Sequence, residues 1–339
     1  MFFQVFLPVA EFIIGSPLRQ LARRHEPLRQ LLWRLDYAVI WLLHKLLLLL
    51  PVDASSRLGE RLGRVIGPLM RRKSAIFREN LATAFPDLGD DELDDLVRRA
   101  WGRAGRVLGE YPHLATILSE PGRLQVELLA DIPTWADPSS PCVIVTSHLS
   151  NWEVVCSAMA KIGMPNASLY SPPTNPFLDR MLLQSRRALN CELLPRDNSA
   201  RHLMRALRQG RTAAMVMDRR VDEGQPIRFF GRDKPSTVMP AKLALKFNCP
   251  LVPVRVERLQ DARFRVSFHP PITPGDPAAD ENARAADMIT QVHALFEQWI
   301  RAQPQDWFCS KRLWPKAKQG KLATLKEAGR DADIDSYAA

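Results

Sequence analysis

The chain has 339 residues, of which 46% are hydrophobic and 25% are charged, and its formal net charge is +10 at pH 7. This composition argues against a disordered or fibrous chain and fits one α/β domain that carries extra helices. The five cysteines are scattered and odd in number, which argues against a disulfide framework and favours a reducing compartment.

The first 52 residues are the least polar part of the chain. Residues 37–50 are apolar except for His44 and Lys45, and Pro51 ends the stretch. A clean bilayer span needs about 20 apolar residues, so this stretch could be a buried core helix, an interfacial helix or a short, tilted span. We predict that residues 1–52 form a membrane-associated helical segment.

Two further features of this region bear on location. Residues 2–14 are apolar, but no basic segment precedes them, which argues against a cleaved signal peptide. Basic residues follow the apolar stretch and suit either an anionic cytoplasmic membrane face or a solvated helix face. These residues are Arg61, Arg64, Arg71, Arg72, Lys73 and Arg78.

The segment His148-Leu149-Ser150-Asn151-Trp152-Glu153 carries the clearest chemical signal. It follows residues 142–146, a short apolar and β-branched run that predicts a buried strand. Ser150 and Glu153 fit the capping box of a helix that continues towards Gly163. The pattern therefore predicts a strand, a turn and a helix, with His148 at the end of the strand.

This arrangement suits general-base chemistry. In one continuous helix, residues five apart point about 140° away from each other, so His148 and Glu153 meet only across a bend. A neutral imidazole can take a proton from an alcohol, and a carboxylate on its other nitrogen fixes the tautomer. The chemistry needs no metal. The alternative is that Glu153 only closes the capping box and that His148 is an ordinary strand-end residue.

The chain beyond residue 163 alternates between strands and helices. Strands are predicted over residues 167–170, 192–194, 212–217, 251–257 and 263–269. Helices are predicted over residues 176–189, 199–209, 238–247 and 281–302. The fold class is therefore α/β, with a mixed, mostly parallel sheet flanked by helices.

Polar residues follow three of these strands. They are His148, Arg196 and the run Asp218-Arg219-Arg220. In open α/β sheets the ligand crevice lies at the carboxyl ends of the strands, and the arginine fork suits phosphate. We predict that Arg196, Arg219 and Arg220 contact a substrate phosphate, with Asp218 paired to one of them. The alternative is that they are surface charges or structural ion pairs.

Several of these segments together resemble the bacterial lipid A late acyltransferases. Residues 142–153 resemble the family's HxxxxE block, whose usual form is His-x-Gly-Asn-Trp-Glu, although Ser150 stands here in place of the glycine. The resemblance covers roughly residues 35–317 and includes four more blocks. They lie at residues 71–86, 194–197, 218–241 and 307–316.

The resemblance implies a glycerolipid-acyltransferase-like fold and a catalytic domain over residues 53–317, followed by a polar tail, residues 318–339. It implies that His148 is the general base and that Glu153 orients it. Substrate binding is assigned to residues in the matching blocks. They are Asn151, Arg196, Asp218, Arg219, Arg220, Phe230, Gly231 and Thr237. Phe230 and its neighbour Phe229 either line an acyl channel or belong to the core.

The implied reaction moves a fatty acyl chain from the thioester of acyl carrier protein, or acyl-CoA, to a hydroxyl of a lipid A precursor. We expect the acceptor to be an anionic glycolipid and the protein to contact inner-membrane lipid at the cytoplasmic face of that membrane. We expect no cofactor. Nucleic acid is not expected, because no zinc finger, basic zipper or RNA-binding aromatic motif is present. The alternatives are acylation of another membrane lipid, such as a glycerolipid, an aminolipid or a glycosylated inositol lipid, and a catalytically inactive lipid-binding relative.

Overall fold

The computed structural model describes residues 18–130, 140–196 and 198–315. The apolar residues 2–14 and the predicted tail, residues 318–339, lie outside these ranges.

Helices occupy the chain before the sheet begins. They are α1 (Arg19–Arg24), α2 (Glu26–Leu48), α3 (Val52–Leu69), α4 (Arg71–Ala84), α5 (Asp90–Glu110) and α6 (Leu114–Ser119). Pro51 precedes α3 in an extended conformation, and the side chain of Glu92 caps α5 by accepting the backbone N–H of Gly89 at 2.9 Å.

Helix α2 includes most of the apolar stretch at residues 37–50. Leu32, Trp33 and Leu47 are buried on one side of this helix. The other side exposes a row of leucines, which we call the apolar face of α2: Leu31, Leu35, Leu42, Leu46 and the following Leu49. Within the described ranges, no helix combines the length and hydropathy that a bilayer crossing needs. The predicted membrane association of residues 1–52 remains a prediction.

Strands and helices then alternate, as the sequence predicts. The strands are β1 (Leu124–Leu128), β2 (Val143–Thr146), β3 (Asn166–Tyr170), β4 (Glu192–Pro195), β5 (Thr212–Val216), β6 (Gln225–Phe229), β7 (Arg232–Ser236), β8 (Leu251–Arg258) and β9 (Phe264–Phe268). The helices are α7 (Val154–Lys161), α8 (Pro176–Arg186), α9 (Ser199–Arg208), α10 (Met239–Phe247) and α11 (Glu281–Ala302).

In the described part of the chain, seven strands form one sheet in the order β1-β9-β8-β2-β5-β3-β4. The pairing is parallel except between β8 and β9. All four residues of the central strand β2 are buried, as expected for a parallel strand covered on both faces. The predicted α/β fold with a mostly parallel mixed sheet is confirmed. Strand β1 and the separate β6–β7 hairpin were not predicted, since they are short and lack a continuous apolar run.

The helices α3 and α5 approach each other closely because small residues line their contact. Gly59 and Gly63 of α3 face Gly105 of α5, and a Cβ atom added to Gly105 would overlap the carbonyl oxygen of Gly59. The same Cβ atom would lie 3.1 Å from the Cα atom of Gly63. The Ser55 hydroxyl also donates to the carbonyl oxygen of Gly109 at 2.7 Å. This contact fixes α3 to α5.

A methyl group at Gly105 should therefore weaken the fold. We expect Gly105→Ala to lower the free energy of unfolding by about 1–3 kcal/mol, the usual cost of overpacking, because backbone atoms of α3 cannot move aside as a flexible side chain would. Thermal or urea denaturation measures this change. The control is Gly275→Ala, since a Cβ atom there would meet only the Asp287 carboxylate, at 3.5 Å. Equal stability of the two variants would contradict the close packing.

Candidate active site

The bend that carries His148 connects β2 to α7. Helix α7 begins at Val154, so Glu153 occupies its N-cap position and Ser150 lies outside the helix. The prediction that Ser150 caps the helix is therefore wrong. The C-terminal segment holds the bend instead. The backbone N–H of Phe308 donates to the carbonyl of His148 at 2.8 Å, and that of Ser150 donates to the carbonyl of Asp306 at 2.9 Å.

Ser150 itself has a left-handed backbone conformation, with a φ angle of 52°. This conformation favours glycine, because a Cβ atom crowds the following carbonyl oxygen. The position is the one at which the resembling family usually has glycine. The turn thus keeps the backbone that a glycine would adopt, although a serine occupies it.

The His148 imidazole is held by Asp218 and not by Glu153. Nδ1 of His148 is hydrogen-bonded to Oδ1 of Asp218, and the backbone N–H of His148 donates to Oδ2 at 3.1 Å. The indole Nε1 of Trp307 donates to the same Oδ2 at 2.9 Å. Asp218 follows β5, the parallel neighbour of β2, so the sheet itself brings the two residues together. Asp218 was predicted to bind substrate or pair with an arginine; its observed role is to hold the histidine.

Both His148 and Asp218 are buried, and this burial together with their neighbours determines their charge states. Burial lowers the pKa of His148 to about 4, the Arg219 charge adds to the effect, and Asp218 opposes it. For Asp218, burial alone would raise the pKa, but His148, Trp307 and Lys234 together hold it below its ordinary value. At neutral pH the pair is therefore a neutral imidazole and a carboxylate. Nδ1 then donates its proton to Asp218, and Nε2 keeps a free lone pair.

The Nε2 atom of His148 is enclosed and has no hydrogen-bond partner among the described residues. The edge of the Trp152 indole packs against the imidazole, with ring centroids 4.9 Å apart. An unused acceptor in such a place is the arrangement that a general base requires.

Glu153 forms a buried ion pair with Arg186 of α8. Nε of Arg186 donates to Oε2 of Glu153 at 3.0 Å, and Nη2 bonds to Oε1. Burial alone would raise the pKa of Glu153, but the Arg186 charge and hydrogen bonds lower it. The predicted contact between Glu153 and His148 is therefore absent, because both carboxylate oxygens face the guanidinium. A catalytic role for Glu153 stays a prediction.

Asn151 also faces the protein interior. Its Nδ2 donates to Glu110 at 3.0 Å, and Glu110 forms a buried ion pair with Arg258. The geometry thus gives Asn151 a structural contact that ties the bend to α5, while its predicted contact with substrate stays a prediction.

The predicted phosphate-binding arginines do come together. Arg196, Arg219 and Arg220 line one cleft of about 240 Å³ with Thr237 and Lys311, and its apolar wall includes Leu169, Met215 and Met217. Arg220 is paired with Asp222. The Thr237 hydroxyl accepts the backbone N–H of Met239 at 3.1 Å and so helps to begin α10.

Phe230 and Gly231 form the turn of the β6–β7 hairpin, and both have positive φ angles, 49° and 69°. The Phe230 ring stacks on Trp307 with centroids 5.7 Å apart, and Phe229 packs beside it. The two phenylalanines are buried in the core with Trp307, which contacts Asp218, while Gly231 is exposed. Their predicted contact with an acyl chain stays a prediction.

Three residues of the site were not identified from the sequence. Arg186 lies on the same face of α8 as Leu178 and Leu182, and a charge on an apolar face signals a buried ion pair. Lys234 is buried, and its Nζ donates to the backbone carbonyl of Asp218 at 2.8 Å. Burial lowers the pKa of Lys234 to about 7, with partial compensation by Asp218. Lys311 lies in the C-terminal block, where no local pattern distinguished it.

The Glu153–Arg186 pair should contribute strongly to stability. We expect Glu153→Gln to lower the free energy of unfolding by about 3–5 kcal/mol, because it leaves a buried guanidinium without its counter-charge. The double variant Glu153→Gln/Arg186→Met should lose less than the sum of the two single variants. Urea denaturation measures all three. Glu192→Gln is the control, since the Glu192–Arg211 pair is exposed and should lose at most about 1 kcal/mol. Additive losses would contradict the buried pair.

Comparison with known proteins identifies the family of this chain. The sequence model of the family described as bacterial lipid A biosynthesis acyltransferase matches residues 24–316. A lipid A biosynthesis acyltransferase of Haemophilus influenzae is 21% identical over 297 residues, which cover 84% of this chain and 90% of the relative. The match includes the bend at His148, the strand end at Asp218 and the C-terminal segment at Trp307. The chain belongs to the bacterial lipid A biosynthesis acyltransferase family.

Proposed function

We propose that this acyltransferase moves a fatty acyl chain from the thioester of acyl carrier protein to a hydroxyl of a lipid A precursor, at the cytoplasmic face of the inner membrane. The observation that carries the proposal is the buried His148–Asp218 pair, whose Nε2 has no hydrogen-bond partner among the described residues. Arg219, the residue after Asp218, acts on the His148 charge and lines a cationic cleft at the carboxyl ends of the strands. Family membership supports acyl transfer, and the cleft supports an anionic substrate.

In the proposed reaction, Nε2 of His148 takes the proton of the acceptor hydroxyl. The hydroxyl oxygen forms a bond to the thioester carbonyl carbon, and the carbon–sulfur bond breaks. The leaving thiolate takes the proton from the imidazolium, so the products are an ester and a free thiol. Asp218 holds the tautomer that leaves Nε2 unprotonated and stabilises the transient imidazolium. Because Nε2 is enclosed, the hydroxyl reaches it only after covering side chains move.

Removal of the imidazole should abolish most transfer. We expect His148→Ala to lower the rate by more than about 100-fold, as for loss of a general base, without loss of the fold. The assay follows thioester consumption that depends on an added lipid A precursor, with acyl carrier protein or CoA as the thiol. His269→Ala is the control, since His269 follows β9, which runs antiparallel to the strands that end at the site. Near-normal transfer by a folded His148→Ala variant would falsify the assignment.

The same assay distinguishes the roles of Asp218 and Glu153. Asp218→Asn should lower the rate by at least about 100-fold, because an amide no longer fixes the productive tautomer, and should alter the pH dependence of kcat. Glu153 does not contact the imidazole, so Glu153→Gln should act through stability and leave that pH dependence in place. The opposite pattern would favour the role first predicted for Glu153.

Membrane association is proposed from the exposed apolar face of α2 together with basic residues on α3. Leu35, Leu42 and Leu46 are about half exposed on α2. On α3, Val65 is 69% exposed on the same helix as Arg61 and Arg64. An exposed apolar helix face with nearby cations suits the interface of an anionic bilayer.

Vesicle flotation tests this surface. The wild-type chain should float with phosphatidylglycerol vesicles more strongly than with phosphatidylcholine vesicles. The triple variant Leu35→Ser/Leu42→Ser/Leu46→Ser should lose at least half of its bound fraction, because the apolar area that enters the bilayer is removed. Leu128→Ser/Leu129→Ser/Leu259→Ser removes three exposed leucines elsewhere and should float like the wild type. Equal flotation of both triple variants would reject the apolar face of α2 as the contact.

A further inference from the structure

The cleft adjoins the His148–Asp218 pair through Arg219, the residue after Asp218, and it is rich in positive charge. Arg196, Arg219 and Lys311 line it, and they come from the end of β4, the end of β5 and the C-terminal segment. Lys73 of α4 lies close enough to act electrostatically on Arg219 and Lys311. Three segments that are distant in the sequence therefore place cations in the cleft, and α4 places a fourth cation within electrostatic range. We call these residues the cationic cluster: Lys73, Arg196, Arg219 and Lys311.

The members of the cationic cluster repel one another. Burial lowers the pKa of Lys311 to about 8, and the charges of Arg219, Arg196 and Lys73 add to the shift. Burial and the charge of Arg196 likewise lower the pKa of Arg219 to about 10, against the attraction of Asp218. Like charges held together in a partly buried cleft are unfavourable unless an anion joins them.

No carboxylate of the described residues forms an ion pair with any member of the cluster. The nearby Arg220 and Arg186 differ, since they are paired with Asp222 and Glu153. The carboxylate of Asp218 is already used by His148 and Trp307. Moreover, Nη2 of Arg219 is buried and has no hydrogen-bond partner within the described part of the chain. A donor that is buried and unused is costly unless a ligand satisfies it.

We infer that the cationic cluster binds a phosphate group and holds the molecule that carries it beside His148. Phosphate fits because it offers several acceptor oxygens and up to two negative charges, which match the two guanidinium groups and the lysine ammonium groups of the cluster. The inference rests on the proposed function only for the identity of the carrier, which is either a phosphorylated glycolipid acceptor or the phosphopantetheine arm of the donor. It adds Lys73 and Lys311 to the substrate site.

A bound phosphate would also raise the pKa of the proposed base, His148. Arg219 disfavours protonation of His148, and an anion placed against Arg219 offsets that charge. The imidazole would then become more basic when substrate is bound than when the cleft is empty. Binding and proton transfer are linked in this way through a single guanidinium.

Calorimetric titration of the full chain in detergent tests the inference, with inorganic phosphate, glucose 1-phosphate and 4′-phosphopantetheine as probes and no acyl donor. We expect saturable binding of phosphate. Lys311→Gln should weaken it by about 10-fold, as for loss of one charged hydrogen bond, and Lys311→Arg should retain it. Lys73→Gln should weaken it less, because Lys73 does not line the cleft and acts on it only through its charge. Lys246→Gln, which removes an exposed lysine near the far end of α10, should bind like the wild type.

The two organic probes distinguish the carrier. Tighter binding of glucose 1-phosphate supports the acceptor as the source of the phosphate, and tighter binding of 4′-phosphopantetheine supports the donor. Absence of saturable binding by the folded wild type, or an equal loss in Lys246→Gln and Lys311→Gln, would overturn the inference. Because no acyl transfer is measured, phosphate binding can fail while transfer persists, and transfer can fail while phosphate binding persists.

Discussion

The site depends on the hydrogen bonds that the buried carboxylate of Asp218 accepts. One oxygen holds Nδ1 of His148, and the other accepts from the His148 backbone and from the Trp307 indole. Its backbone carbonyl accepts from the buried Lys234. A single residue thereby joins the ends of β2 and β5, the β6–β7 hairpin and the C-terminal segment. The free energy gained from these hydrogen bonds compensates for burying a charge.

Two further buried ion pairs surround the bend and explain why it can be both irregular and fixed. At the end of the bend, Glu153 forms an ion pair with Arg186 of α8. In the middle of the bend, Asn151 donates to Glu110, which is paired with Arg258. Ser150 keeps a left-handed backbone between them. The bend is thus determined by contacts with distant helices, whereas its own sequence offers only a weak cap. This anchoring leaves the imidazole with one orientation.

The basic residues around the site fall into two groups, one paired with carboxylates and one not. Two buried guanidinium groups near the core are paired with carboxylates, Arg186 with Glu153 and Arg258 with Glu110. In the cleft, the cationic cluster has no carboxylate among the described residues. Paired charges fix the geometry, while an unpaired cluster leaves attraction for a substrate. Part of the net charge of +10 is therefore concentrated at the carboxyl ends of β4 and β5.

The sequence alone determined the α/β alternation, the strand before His148 and the cations after three strands, because apolar periodicity and strand ends are local properties of the chain. It also indicated His148 as the candidate base. Only the tertiary structure decided that Asp218 holds His148 while Glu153 holds Arg186, since that choice depends on which strand lies next to β2 in the sheet. Likewise, Lys311 joins Arg196 and Arg219 only through the path of the C-terminal segment. Spacing along the chain indicates which residues can react, but the fold selects their partners.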